Sequence, residues 1–414
     1  MELRLKVIYS DFLDDGMRMQ ILESLFIGLQ AKGVHAIECD GDYQGLLILT
    51  GGTEQLAIEE FSRHTGNEMI LFTHRGNNSL AAALEITAFL QRQGRNVKII
   101  DLEGQDFDLE TRGDQIIVDK ARCRPLASRI GVIGEPSDWL IASSYPEEIL
   151  SKTWDTELVK VNISYLEELI LRFMDESESG NIIQCVAQVK EPLEQDLINS
   201  DAVFKALKQL ISEYDLDAIT VRCFDLVKDM SMTACYALGK LNSENIPAGC
   251  EGDIASITGM VWAHKQTGNI PWMANPARID RDRSIITLAH CTAPLNVLKQ
   301  IVLRSHFESG LGVGIQGKLN YDEVTLFRLG GRNLDEIWVA EGRVTGHLQE
   351  ENLCRTQLEI SIDPGELTKL LDRPLGNHLL VLPGRYKREF LATDLCEKIS
   401  QDFFRTRDRS SGRA

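Results

Sequence analysis

The sequence predicts an α/β protein. Two doubly wound, Rossmann-like parallel-sheet units are expected over residues 1–125 and 126–245. A β-rich, antiparallel barrel-like unit follows over 246–405, with a flexible tail over 406–414. Three observations carry this reading. Short apolar runs alternate with helical patterns through the first part of the chain, the signature of βαβ units. After about residue 265 the texture changes to short β-rich segments separated by Gly, Pro, Asn or Asp. A chain of 414 residues also exceeds what one ordinary core organises.

The elements follow in order. "LKVIY" reads as a strand, "GMRMQILESLFIGLQAKG" as a helix and "VHAIEC" as the next strand. "GLLILTGG" leads into the helical "TEQLAIEEFSRH", "MILFTH" into "NSLAAALEITAFLQRQG", and "NVKIID" completes the set. The loops "LTGGTE" and "THRGNNS" lie at strand carboxyl ends, where doubly wound sheets bind ligands. "TRGDQIIVDKARCRPLASR" breaks the rhythm, and a second alternating set opens at "RIGVIGEPSDWLIASS". It continues through "ELVKVNIS", "YLEELILRFMD", a long helical pattern from Glu194 to Tyr214 and "DAITVRCFD". The β-rich part holds "SIITLAHCT", "GVGIQGKL", "EVTLFRLG", "EIWVAEGRVTG", "RTQLEISID" and "NHLLVLPG". Gly312 to Gly317 matches G-x-G-x-x-G. The residues after it read as strand, turn and strand, so the helix that a dinucleotide site needs is missing.

Composition narrows the function. Hydrophobic residues at 43% and charged residues at 26% are ordinary for a soluble globular chain. A formal charge of −18 repels phosphate backbones, so nucleic acid is not an expected partner. No apolar run has the length of a membrane span, and the start lacks the apolar core of a secretory signal. The nine cysteines are odd in number and show no CxxC spacing. Reduced thiols and a cytoplasmic location are expected.

Candidate site residues gather at predicted strand ends. Asp225 closes "AITVRCFD", Glu251 and Asp253 lie in "PAGCEGDI", His290 ends "SIITLAH" and His378 opens "HLLVLPG". Carboxylates mixed with imidazoles suit Mn²⁺ or Mg²⁺ better than a thiolate-seeking ion. Asp253 also fits a helix N-cap. Further candidates are His306 and Glu308 in "RSHFESG", Arg355 in "CRTQ", and Asn77 and Asn78 before a helix. For these a turn, an ion pair and a cap are the competing roles.

The run "RCFDLVKDMSMTACYALGKLNSENIPAGCEGDIASITGMVW", with "GVIGEPSDWLIASS", "LAHCTAP" and "PLGNHLLVLPG", resembles the L-fucose isomerase family. The L-arabinose isomerases share that fold more distantly. The resemblance implies interconversion of an aldose and a ketose, a deoxysugar, pentose or related sugar, through a cis-enediolate at a divalent metal. Mn²⁺ is the implied ion, with Mg²⁺ or Co²⁺ as substitutes. It implies metal ligands at Asp225, Asp253 and His378, catalytic roles for Asp225, Asp253 and His290, and a trimer or hexamer of identical chains. A bound ion acts as a Lewis acid and a carboxylate shuttles the proton. Asp225 stands where that family commonly has Glu. This feature favours the alternative, a non-catalytic sugar-binding or regulatory protein that keeps the fold. As pocket residues, Asp253 and His378 are expected to be replaceable without unfolding the chain.

Overall fold

The structure is a computed structural model, and it describes residues 1–11, 13–63, 68–104, 118–184 and 186–391. The expected tail over 406–414 lies outside the described residues. The α/β reading agrees with what is seen: two parallel sheets and a predominantly antiparallel β-rich part.

The first sheet runs, in spatial order, His35–Glu38, Glu2–Ile8, Gly45–Ile48, Glu68–Thr73 and Asn96–Asp101, all parallel. The order reverses between Glu2–Ile8 and Gly45–Ile48. A doubly wound sheet opens a crevice at such a reversal, beyond the strand carboxyl ends. The helix Asp15–Ala31 starts where the Asp14 side chain accepts from Met17 N at 3.0 Å. The helix Ser79–Arg92 is buried along nearly its whole length. One side of it meets the first sheet and the other meets barrel residues such as Trp272, Leu379 and Val381 in a single apolar core. That position explains why "SLAAALEITAFL" is apolar all round rather than striped.

The second sheet places Ala248–Cys250, Ala218–Val221, Ser128–Ile133 and Thr156–Val161 side by side, again parallel. Its last strand feeds the buried helix Ile254–Thr267, which ends at Gly268 with φ 74°. Trp262 on that helix packs against Phe327 and Phe390, with ring centroids 5.7 and 4.5 Å apart. Gly259 lets a barrel strand approach, since a Cβ there would lie 2.6 Å from Leu380 Cδ1.

The strands Trp272–Asp280, Ile285–His290, Thr356–Ile362, Glu336–Gly346, Glu323–Gly330 and Leu379–Pro383 pair antiparallel in that order. Leu379–Pro383 then pairs back to Trp272–Asp280, so the ring closes and leaves no free edge. Leu298–Arg304 and Gly314–Leu319 form a separate hairpin joined by Gln188–Val189. The G-x-G-x-x-G stretch therefore lies in a loop and an antiparallel strand, the context expected for it. Among the described residues no helix is long and apolar enough to cross a membrane.

Candidate functional site

The carboxyl ends of both parallel sheets face one cavity of about 650 Å³. Ser10, Thr50, Gly51, His74, Asn77 and Asn78 line it from the first sheet, at and beside the point where strand order reverses. Trp139, Phe224 and Glu251 line it from the second, and Asn275, Glu308 and Asn377 come from the β-rich part.

The "CEGD" turn at its floor is not extended. Glu251 and Gly252 both take left-handed conformations, with φ of 62° and 72°. Gly252 is required there, because a Cβ would sit 2.7 Å from Pro136 Cα. Glu251 has no such excuse, and a non-glycine residue held left-handed costs about 1–3 kcal/mol. Such strain clusters where a side chain must be aimed.

What it aims at is His378. The imidazole, fully buried, is clasped between the two acids. Nδ1 lies 2.9 Å from Asp253 Oδ2, and Nε2 lies 3.6 Å from Glu251 Oε1, too far for a hydrogen bond. Among the described residues Nε2 has no hydrogen-bond partner. Burial alone would lower the pKa of His378, but the carboxylates of Glu251 and Asp253 outweigh it and lift the value to about 9.

The two acids are held differently. Asp253 is both a cap and a partner: Ser256 N and the Ser256 hydroxyl donate to its two oxygens, each at 2.7 Å. Arg328, 1% exposed in the barrel strand Glu323–Gly330, donates to Asp253 Oδ2 at 3.1 Å and also to Ser256 and Ser143. Burial pushes the Asp253 carboxyl up, yet Arg328 and His378 hold it well below the usual carboxylate range. Ser143 passes the network to Glu85, which accepts from Ala142 N, Ser143 Oγ and Asn377 N at 2.7, 2.8 and 2.9 Å. Burial raises the Glu85 carboxyl above its ordinary pKa. Glu251 carries less. Among the described residues its one hydrogen bond from a side chain comes from Trp139 Nε1 at 2.6 Å. Burial works against its charge, but His378, Trp139 and His290 together hold the carboxyl below its ordinary pKa.

His290 stands edge to face with His378, centroids 5.6 Å apart. The Thr292 hydroxyl engages its Nδ1 at 2.9 Å, which leaves the other ring nitrogen to offer a lone pair. Burial, then the neighbouring His378, lowers its pKa to about 4, so the ring is neutral at ordinary pH. Ligand atoms of Cys250, Glu251 and His290 all lie within 4.8 Å of one another. With the orphaned His378 Nε2, these residues could hold a divalent cation. A carboxylate behind the far nitrogen of a ligating histidine, as Asp253 lies behind Nδ1, is the usual way such a ring is oriented.

The other candidates fall into two groups. Asp225 is in the helix Cys223–Met230 rather than at the strand end, which is Val221. Its carboxylate pairs with Arg222 Nε at 3.1 Å, and Arg222 also binds Asp138 and the Pro136 carbonyl. Asp225 is not in contact with His378, Asp253 or Glu251 through any ion pair or hydrogen bond among the described residues. Arg355 donates to the Ser305 carbonyl at 2.8 Å and to Glu351 at 3.1 Å, serving its own loop. Glu308 and Asn78 face the cavity together, the Asn78 amide donating to Glu308 at 2.7 Å. Asn78 does not cap its helix with its side chain, and both it and Asn77 are left-handed, with φ of 58° and 51°. His306 packs against Phe224 at 5.6 Å and bonds Ser309, with its ring behind the Phe224–Trp139 pair. Burial raises the Glu308 carboxyl above its ordinary pKa.

Arg328, Glu85, Trp139 and Cys250 are among the site residues that the sequence reading does not single out. For the first two a signal exists. A single charge inside an apolar strand, "VTLFRLG", or an apolar helix, "LAAALEITAF", must find a buried partner.

No family model matches the chain. Two curated proteins do: sulfoquinovose isomerases of Priestia aryabhattai and Priestia megaterium, each 24% identical over 209 residues. The match covers 49% of this chain and 47% of each relative, so the chain spans about half the length of the curated relatives it matches. The chain is thus similar to sugar isomerases.

Proposed function

We propose that the chain is an aldose–ketose isomerase acting on a small sugar at a divalent cation held by Glu251, His290 and His378. The observation that carries this is the state of His378: oriented through Nδ1 by Asp253, with Nε2 left without a partner opposite Glu251. The likeness to sulfoquinovose isomerases supports the reaction class, and the resemblance to L-fucose isomerases supports the same chemistry. Asp253 keeps a place in the site as the residue that positions His378, and Asp225 leaves it.

When bound, the cation would supply Lewis acidity toward the two substrate oxygens whose carbonyl character is exchanged. The remaining work falls to the protein. Glu308 faces the cavity with a carboxyl that burial raises, so it can take the C2 proton and return it to C1. Asn78 fixes that carboxyl through its amide. Trp139 and Phe224, edge to face at 5.2 Å, wall the cavity and exclude water from the proton in transit. A homo-oligomer, trimer or hexamer, belongs to the proposal and is read by light scattering.

Metal analysis of the purified protein, with a panel of aldoses tested for ketose formation in added Mn²⁺, Co²⁺ or Zn²⁺, decides the matter. Ketose from one sugar is expected. The second reading, a non-catalytic sugar-binding protein, is favoured by Asp225 being engaged by Arg222. Heat of sugar binding without bound metal and without ketose would establish it instead.

A further inference from the structure

Next to Glu251, which lines the cavity, stands a donor that the proposed ligand set does not use. Cys250 is 4% exposed and ends the strand Ala248–Cys250. In an extended chain Cys250 and Glu251 would point to opposite faces. The left-handed turn at Glu251 cancels that alternation and gathers the Cys250 sulfur, a Glu251 oxygen and a His290 nitrogen within 4.8 Å of one another.

Charge then matters. A dication buried at this depth needs anionic ligands to offset its lost hydration. The expected arrangement supplied two carboxylates. Here one of them, Asp253, is committed to Arg328, Ser256 and the far nitrogen of His378. Glu251 remains as a single negative charge beside two imidazoles, each of which must be neutral to bind an ion. Resting on the isomerase reading, we propose that Cys250 is a metal ligand, its thiolate supplying the second negative charge. One carboxylate, two imidazoles and a thiolate select a borderline ion of the zinc or cobalt(II) class over Mn²⁺ or Mg²⁺. On binding, the Cys250 sulfur forms a bond to the ion and its proton leaves to solvent; no electron is transferred. Cys223, whose Sγ lies 3.0 Å from Cys250 Sγ, keeps its own proton and donates it as a hydrogen bond to the thiolate.

Reduced, metal-stripped protein is titrated with Co²⁺ alone and read by absorption. The expected result is an intense near-ultraviolet thiolate-to-cobalt charge-transfer band that saturates at one equivalent. It disappears in Cys250→Ser and persists in Cys223→Ser. A band lost only in Cys223→Ser overturns the assignment. Stoichiometric Co²⁺ binding with weak visible bands alone also overturns it, and leaves the isomerase reading standing. No binding of Co²⁺ at all overturns both. Should Cys250→Ser fail to fold by circular dichroism, wild-type protein loaded with Zn²⁺ and read by X-ray absorption gives the answer. One sulfur scatterer at about 2.3 Å is expected, and a shell of nitrogen and oxygen alone refutes it.

Discussion

The two sides of His378 differ in how completely they are satisfied. On the Nδ1 side, Asp253, Arg328, Ser256, Ser143 and Glu85 form a chain of partners in which Arg328 Nε is the unpaired atom, linking the helices Ser79–Arg92 and Ile254–Thr267 to the barrel. On the Nε2 side, Glu251, His290 and Cys250 converge with few hydrogen bonds among them, and Nε2 has none. Buried polar groups are normally paired, so a satisfied network reads as scaffold and an unsatisfied one as a place where a ligand completes the set. Two acids separated by one glycine thus do different work, one holding the histidine and the other facing what the histidine is held for.

The sharpest way to break this contrast is on the satisfied side. Arg328→Met leaves Asp253 buried without its cation, and Asp253→Ala leaves Arg328 without its carboxylate. Removing one member of a buried ion pair costs about 3–5 kcal/mol, and Asp253→Ala adds about 0.5–2 kcal/mol for the lost cap. Urea unfolding of each variant, with metal absent, measures this. The sequence-based expectation that Asp253 is replaceable without unfolding is corrected here: Asp253 is fully buried and serves three elements. A loss under about 1 kcal/mol in both variants would erase the distinction between the two sides.

Next in size comes the open side. Glu251→Gln keeps the Trp139 contact feasible and removes one charge, so the metal-free fold should hold. The variant should lose the stabilisation that bound metal gives, about 2.7 kcal/mol at a hundredfold excess over the dissociation constant, together with ketose formation. Thermal melts with and without added Zn²⁺ or Mn²⁺ read it. Third, Gly252→Ala must fit a side chain at φ 72° with its Cβ 2.7 Å from Pro136 Cα. The left-handed conformation alone costs about 1–2 kcal/mol. Metal affinity should fall with stability, because the same turn aims Cys250 and Glu251.

These residues also show what was legible in the sequence. The βαβ rhythm and the later β-rich texture follow from local periodicity, and both appear in the sheets. The left-handed Glu251 does not, because its turn is fixed by residues distant in sequence, with Ser137 N donating to the Glu251 carbonyl at 2.9 Å and Gly252 N to the Val221 carbonyl at 3.1 Å. The Arg328–Asp253 pair joins residues 75 positions apart, and Glu85 reaches Asn377 across 292, separations that no local pattern encodes. Read as one strand, "AITVRCFD" puts Asp225 at its end. The strand in fact stops at Val221, and the backbone turns into a helix at Cys223.

A smaller effect separates His74 from the histidines of the site. His74 is buried at the end of Glu68–Thr73, with Nε2 bonded to the Leu49 carbonyl at 2.8 Å. Burial lowers its pKa below the ordinary 6.5. The unfolded chain therefore takes up a proton near pH 6.5 that the folded chain refuses. Stability from this group is present above that pH and is lost as pH falls, by no more than about 1.4 kcal/mol per pH unit. Urea midpoints between pH 8 and 5 should fall less steeply in His74→Gln than in wild type.

The smallest effect decides the most about the ligand set. Asp225 has a side chain 23% exposed, and its partner Arg222 is 17% exposed. Arg222 keeps Asp138 at 3.0 Å and the Pro136 carbonyl at 2.7 Å when Asp225 is removed, so no buried charge is stranded. A partly exposed pair of this kind contributes about 0–1 kcal/mol. Asp225→Ala should therefore melt close to wild type, and it should show the full metal-induced shift that Glu251→Gln loses. Both variants remove one carboxylate from the same end of the second sheet, so a general change in cavity charge would affect them alike. A different response isolates contact with the cation. If Asp225→Ala abolishes the shift while Glu251→Gln retains it, the ligands are those the family resemblance implies. The left-handed turn at Glu251 would then need another explanation.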